Sequence, residues 1–250
     1  EPGTGMPVTY RTRTLKNTAG SRPSLMALAA LAGLFGCSGG EMVPGPEPSG
    51  INAEALAEGA LRATMPEKPV QIIFDFRLRE ADLRFSGQGV ARVQPPYRLR
   101  IDLFSNQGEG LFLAALVGSE LRVPPGIPLD LAPPPALLWS ALGVFRPDAG
   151  LRLLGGRLSP EGFATLHYGD EAQKDLRFRL SQGLLTRTEL REDGHLIEEV
   201  DLTWDEESQN VVETTYRNRA LFLELTFSLK SVETVDFFPK DIWNPGGWGK

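Results

Sequence analysis
The sequence predicts a mainly β (α+β) fold: two sets of antiparallel strands, preceded by one short helix and separated by an apolar helical insert. Three observations carry that expectation. Apolar residues recur at a period of two along most of the chain, as in Leu99, Ile101 and Leu103. Polar or glycine turn signals break those runs at intervals of about 8 to 12 residues. The pattern turns helical in two stretches, "NAEALAEGALRATM" and "ALLWSALG".

Ahead of these elements lies "LMALAALAGLFGCSGG". From Leu25 to Phe35 every residue is apolar or glycine, but a membrane-spanning helix needs about 20 such positions. Arg11, Arg13, Lys16 and Arg22 precede the run, and no acid stands between Pro2 and Cys37. A basic start, a short apolar centre and a small residue at the end make a secretory signal peptide, so residues 1–36 are expected to be removed. Residues 37–51, rich in Pro, Gly and Ser, read as a flexible tether.

The end of the leader, "LFGC" (Leu34 to Cys37), resembles the lipobox of bacterial lipoproteins. The resemblance implies a diacylated Cys37, cleavage before it and acylation of the new amino terminus. More than one chain is needed for stable anchoring, because each buried methylene contributes only about 0.8 kcal/mol. Ser38 and Gly39 follow, where an Asp would signal inner-membrane retention. The implied location is therefore the periplasmic face of the outer membrane.

The whole chain of 250 residues carries a net charge of −6. The leader holds four of the basic residues and one acid, so the remaining body is more acidic still. That balance argues against nucleic acid, which is held mainly by Lys and Arg on phosphates. A single cysteine gives neither a disulfide framework nor a cysteine metal site. Residues 52–236 fit one domain, with residues 237–250 as an irregular tail.

Taken in order, Asn52 is the expected N-cap of the first helix, Glu54 lies in its first turn and Pro66 stops it. Leu56, Ala60 and Ala63 form its narrow apolar stripe. Ile72, Phe74, Phe76 and Leu78 then share one strand face, and Leu83 and Phe85 continue the pattern. The glycines around Gly87 suggest a bend or bulge. "YRLRIDLF" alternates cleanly, whereas "GLFLAALV" is apolar on both sides. The insert at about residues 133–145 starts with prolines suited to a helix first turn. Of its residues Ala136 to Gly143, only Ser140 is polar, so it must be covered or must itself cover something apolar. Strands resume with Leu176, Phe178 and Leu180, then with Leu196 to Trp204, and end with Leu221, Leu223, Leu225, Phe227 and Leu229. From the residues alone a sheet, a sandwich and a barrel all remain open.

Catalytic signatures are missing: the chain has no G-x-S-x-G, H-E-x-x-H, P-loop or G-x-G-x-x-G. His167 lies on an expected strand and His195 follows a turn, and two such histidines do not make a zinc site. The acidic pairs at 198–199 and 205–207 fall on polar strand faces or turns. The expectation is a protein that is not an enzyme and uses no cofactor.

The stretch from Leu83 to Val123, "LRFSGQGVARVQPPYRLRIDLFSNQGEGLFLAALVGSELRV", resembles the lipoprotein-localisation family with the LolA/LolB-like fold. "PPPALLWSALGV" is similar to the lid elements of that family, and the likeness covers about Ala53 to Asp236. It implies an open, curved half-barrel whose apolar concavity receives acyl chains of a lipid or of an acylated lipoprotein cargo. Mapped onto this chain, the implied cavity lining is Phe74, Phe76, Phe85, Leu99, Ile101, Leu103, Leu113, Phe178, Leu223, Leu225 and Phe227. Leu138, Trp139 and Leu142 belong to the implied lid. One departure is that the turns "READ" and "SNQGEG" are short and polar, where receptors of this family carry an exposed apolar loop. The alternative is a non-catalytic envelope scaffold that docks a protein partner through its sheet edge or through Trp243 and Trp248.

Overall fold
A computed structural model describes residues 51–125, 132–171, 174–208 and 210–245. The expected signal peptide, Cys37 and nearly all of the tether lie outside the described residues, as does Trp248. The first element, α1 (Ala53–Thr64), is capped as expected. The Asn52 side chain accepts from the Ala55 amide at 2.9 Å, and the Met65 amide closes the far end on Leu61. Ala60 is the buried point of its stripe, with Leu56 packed beside it.

The strands that follow are β1 (Val70–Glu80), β2 (Leu83–Gln94), β3 (Arg98–Ser105), β4 (Gly110–Val117) and β5 (Glu120–Arg122). The insert helix α2 (Pro135–Ser140) then leads into β6 (Arg152–Leu158), β7 (Phe163–Gly169), β8 (Lys174–Ser181), β9 (Leu184–Glu192), β10 (His195–Trp204), β11 (Val211–Asn218) and β12 (Leu223–Thr234). They form one 12-stranded sheet in the order β5-β4-β3-β2-β1-β12-β11-β10-β9-β8-β7-β6, with every neighbouring pair antiparallel. Two meanders are thus joined where β1 meets β12, and β5 and β6 remain as separate edges.

Period-two burial decides which face is inside. Cross-strand pairs such as Phe76 with Phe227, Ile101 with Ala91 and Phe178 with Leu166 place the apolar residues on a single face. The sheet curls around α2. Leu138 and Trp139 pack among Phe74, Leu99 and Ile101 of β1 and β3, while neighbouring Leu137 packs among Phe178, Leu190 and Val200 of β8 to β10. A six-residue helix reaches both halves of a 12-stranded sheet only if the sheet is strongly curved. The result is an open half-barrel with a plugged concavity.

The glycines of β2 do not make a bulge. Gly87 and Gly89 stay in register opposite Phe76 and Phe74 and leave room for those rings. A Cβ on Gly89 would stand 2.1 Å from Phe74 Cε2. The bulge lies instead in the β1–β12 pairing, between Ile73 and Phe74.

The convex face is polar and cross-linked by ion pairs. Buried Glu199 accepts from Arg187 and, at 2.6 Å, from Arg219; Arg217 binds Asp201 at 2.7 Å and Glu224 at 3.0 Å. At the β3–β4 end this face is covered by the last described segment, which includes a single 3-10 turn at Lys240–Trp243. Arg100 donates to the Ile242 carbonyl, and Arg122 to that of Trp243 at 3.3 Å. Trp243, expected as a free docking aromatic, is only 3% exposed and packs edge-on against Phe238 at 5.8 Å. It is a clasp on the sheet rather than an outward handle. Phe237 is the exposed aromatic of this segment.

Candidate acyl-chain site
The lid is fixed to its surroundings by a few polar contacts among apolar ones. Asp148 accepts from the Ala136 amide at 2.9 Å, capping α2 in place of a side chain at its own N-cap, Pro134. Thr64 of α1 accepts from the Phe145 amide at 2.9 Å. Thr188 of β9 donates to the hydroxyl of Ser140 at 2.9 Å, and Ser140 donates to the Ala136 carbonyl at 2.8 Å. Gly143, at φ +79°, turns the chain after the helix and lies close to Trp204 and Val211.

The plug is incomplete. Two apolar cavities remain between the lid and the sheet. The first, about 400 Å³, lies between the end of α1, the lid residues Ala141 to Val144, and the ends of β1, β10, β11 and β12 that carry Val70, Trp204, Val211 and Val232. The second, about 140 Å³, lies between Leu137, Leu138 and Ala141 of the lid and Leu78, Ile101, Leu103, Phe112, Tyr216 and Leu225 of the sheet. Among the described residues, no charged side chain lines either one. We refer to them as the Trp204 cavity and the Tyr216 cavity.

Of the residues singled out from the sequence, Phe74, Leu142 and Phe227 line the Trp204 cavity. Ile101, Leu103, Leu138, Leu223, Leu225 and again Phe227 line the Tyr216 cavity. Six others line neither. Phe76, Leu99 and Trp139 are consumed in the packing beneath the lid. Phe178 is fully buried in a separate aromatic group, edge-on to Phe145 at 4.7 Å and to Tyr168 at 5.8 Å. Phe85 is 45% exposed near the start of β2, ahead of Gly87, where the pairing with β3 begins. Leu113 sits on the opposite face: it pairs with Asp102, and its neighbour Phe112 lines the cavity instead. A one-residue change of register turns every side chain to the other face, and a strand apolar on both faces does not reveal its register.

Several lining residues are not among those singled out from the sequence, among them Ala141, Val232 and Tyr216. Tyr216 alone carried a signal, as an aromatic in period with Thr214. Its ring borders the second cavity while its hydroxyl donates to Glu198 at 2.9 Å. Burial is the main cause that pushes both the Tyr216 phenol and the Glu198 carboxyl above their ordinary pKa ranges. His167 lies on the convex face, 2.7 Å from Asp175, and His195 is exposed at the start of β10. Among the described residues, no three His, Cys, Asp or Glu converge as a metal site.

The two cavities open at opposite ends of the strands. The Trp204 cavity reaches solvent beside Val212 and Val232, where β12 ends; the Tyr216 cavity does so beside Leu221, just before β12 begins. Leu221 lines that mouth and is exposed, and Leu83 and Phe85 are exposed on the same face of β2. Phe222, 80% exposed at φ +52°, borders instead the charged cleft of Arg187, Glu199 and Asp201 on the convex face. Thus the apolar rim comes from the β11–β12 turn and the start of β2, while the turn "SNQGEG" is polar as expected.

No protein-family model matches the chain. Nor does any curated protein match it. Solved structures match in fold. A LolA superfamily protein from Nitrosomonas europaea is 13% identical and aligns over 78% of this chain and 98% of its own, with a TM-score of 0.53. A domain attributed to outer membrane lipoprotein sorting, from Vibrio parahaemolyticus, is 10% identical over 77% of this chain and 97% of its own, with a TM-score of 0.50. At such identities the likeness is one of architecture. The protein has the LolA-like fold: an open antiparallel half-barrel with a helix and a lid on its concave side. Among the described residues no helix is long and apolar enough to cross a membrane.

Proposed function
We propose that this chain is an envelope protein, anchored through acylated Cys37, that holds the acyl part of a lipid or of an acylated protein between its sheet and its lid. The observation that carries the reading is the pair of cavities, without a charged side chain among their described lining residues, left beside a lid that otherwise fills the concavity. A cavity lined by apolar side chains and lacking ionic partners selects ligands by burial of apolar area, which contributes about 25 cal/mol per Å². The architectural likeness to a domain attributed to lipoprotein sorting is consistent with this choice of ligand. The activity proposed is binding, without bond making or breaking, at the periplasmic face of the outer membrane.

Dye uptake tests it. The Cys37→Ala chain is titrated with N-phenyl-1-naphthylamine, and palmitate is then added as competitor. The expected result is saturable fluorescence that palmitate displaces. Val212→Glu, which puts a charge at the exposed mouth of the Trp204 cavity, weakens uptake while the circular dichroism spectrum stays unchanged. Absence of displaceable dye binding contradicts the proposal.

A further inference from the structure
The two cavities have a wall in common. Among the described residues, Ala141 and Phe227 alone border both. On one side of this wall lie Leu142 and Val144, and on the other Leu137 and Leu138, so the lid runs alongside both spaces. Along β12 the order is equally continuous: Leu229 and Val232 face the first cavity, Phe227 the wall, and Leu223 and Leu225 the second. The mouths lie at opposite ends of that strand. Phe227 is itself nearly buried, with its ring 4.6 Å from that of Phe74 at an angle of 55°.

We infer that the two cavities are the halves of one acyl channel, closed at its middle by Phe227 against Ala141, and that Phe227 sets how long a chain the protein accepts. The inference rests on the acyl-binding reading given above. The occupant is one unbranched acyl chain. A space elongated along a single strand suits a linear molecule. Among the described residues, the only side chain of the Tyr216 cavity able to hydrogen-bond is Tyr216, whose hydroxyl is already engaged by Glu198. With the wall in place, a chain entering beside Val212 and Val232 fills the larger cavity and stops. Removing the ring lets it continue into the smaller one.

The test is a chain-length series on the full-length chain, read by displacement of N-phenyl-1-naphthylamine with octanoate, laurate, palmitate and arachidate. Wild-type affinity rises with chain length and then levels off. In Phe227→Ala the plateau moves to longer chains, and each newly buried methylene adds up to about fourfold in affinity. Phe227→Leu, a milder cut for the case in which the alanine variant does not fold, shifts the plateau in the same direction. Ala141→Leu thickens the wall and leaves the wild-type plateau in place. Two results overturn the channel while leaving acyl binding intact: a wild-type affinity that never levels off, or folded Phe227 variants with the wild-type plateau. Failure of every chain to displace the dye from wild type overturns the acyl-binding reading and the channel with it.

Discussion
Thr188 of β9 donates a hydrogen bond to Ser140 of the lid at 2.9 Å, and both side chains are fully buried. It is a polar tie between lid and sheet in an otherwise apolar interface. The partners are not equivalent. Ser140 has a second bond, to the Ala136 carbonyl, whereas among the described residues Ser140 is the only side-chain partner of the Thr188 hydroxyl.

That asymmetry predicts a specific order of stabilities. Ser140→Ala leaves the buried Thr188 hydroxyl unpaired and costs about 1–3 kcal/mol in urea unfolding. Thr188→Val is nearly isosteric and leaves Ser140 satisfied by Ala136, so it costs less. The double variant is more stable than Ser140→Ala alone. Equal costs for the two single variants would show that the tie is not needed to hold the lid.

The pairing of Gly89 with Phe74 predicts an equally local effect. Gly89→Ala places a methyl within the ring of Phe74, and overpacking of this kind costs about 1–3 kcal/mol. Because Phe74 also borders the Trp204 cavity, dye uptake falls with it. Phe74→Leu in the same chain recovers part of the lost melting temperature. Gly59→Ala is the contrasting control: it lies in α1 with open space around it and raises stability by about 1 kcal/mol.

Glu198 predicts how stability depends on pH. Its carboxyl titrates above the ordinary value because burial disfavours the charged form, the Tyr216 hydrogen bond only partly offsetting this. A folded-state pKa above the unfolded one means that the folded state binds the proton more tightly. Stability from this group is therefore fully present below the unfolded pKa of about 4.3 and is lost as pH rises through the folded value. Glu198→Gln removes that loss and retains an acceptor for Tyr216. The variant is thus more stable than wild type at pH 7, and the difference closes toward pH 4. Unfolding curves at the two pH values check it, and a gap that widens on acidification contradicts it.

Anchoring has its own test. In a Gram-negative host fed labelled palmitate, the chain takes up label and fractionates with the outer membrane. Cys37→Ser abolishes the label. Label retained by the variant would place the lipid elsewhere.

How much of this was legible beforehand depended on how one-sided each strand is. β12 faces water with Glu, Thr and Ser, and β3 turns Arg100 and Asp102 beneath the Trp243 segment. Both strands face the lid with Leu, Ile and Phe, so their inward residues are legible from the alternation. β4 is apolar on both faces because Trp243 and its neighbours cover its outer side, and there the reading chose Leu113 over Phe112. β6 passed unnoticed: Leu153, Leu154, Gly155 and Gly156 do not alternate, and the strand carries a bulge between Leu153 and Gly155. The glycines of β2 look like a bend in sequence, and only their partners across the strand reveal that they accommodate two phenyl rings. Which apolar residues line free space, rather than packed core, depends on how deeply Trp139 sinks into the sheet. That depth is a property of the assembled tertiary structure and of no single segment.

Quenching of tryptophan by a bromine-labelled stearate reads out directly whether an acyl chain lies between lid and sheet. Trp204 borders the larger cavity and Trp139 is buried in the lid, whereas Trp243 lies beneath the opposite face. The expected result is saturable quenching that largely disappears in the Trp139→Phe/Trp204→Phe double variant and persists in Trp243→Phe. Quenching that survives the double variant, or none at all in the wild-type chain, would contradict it.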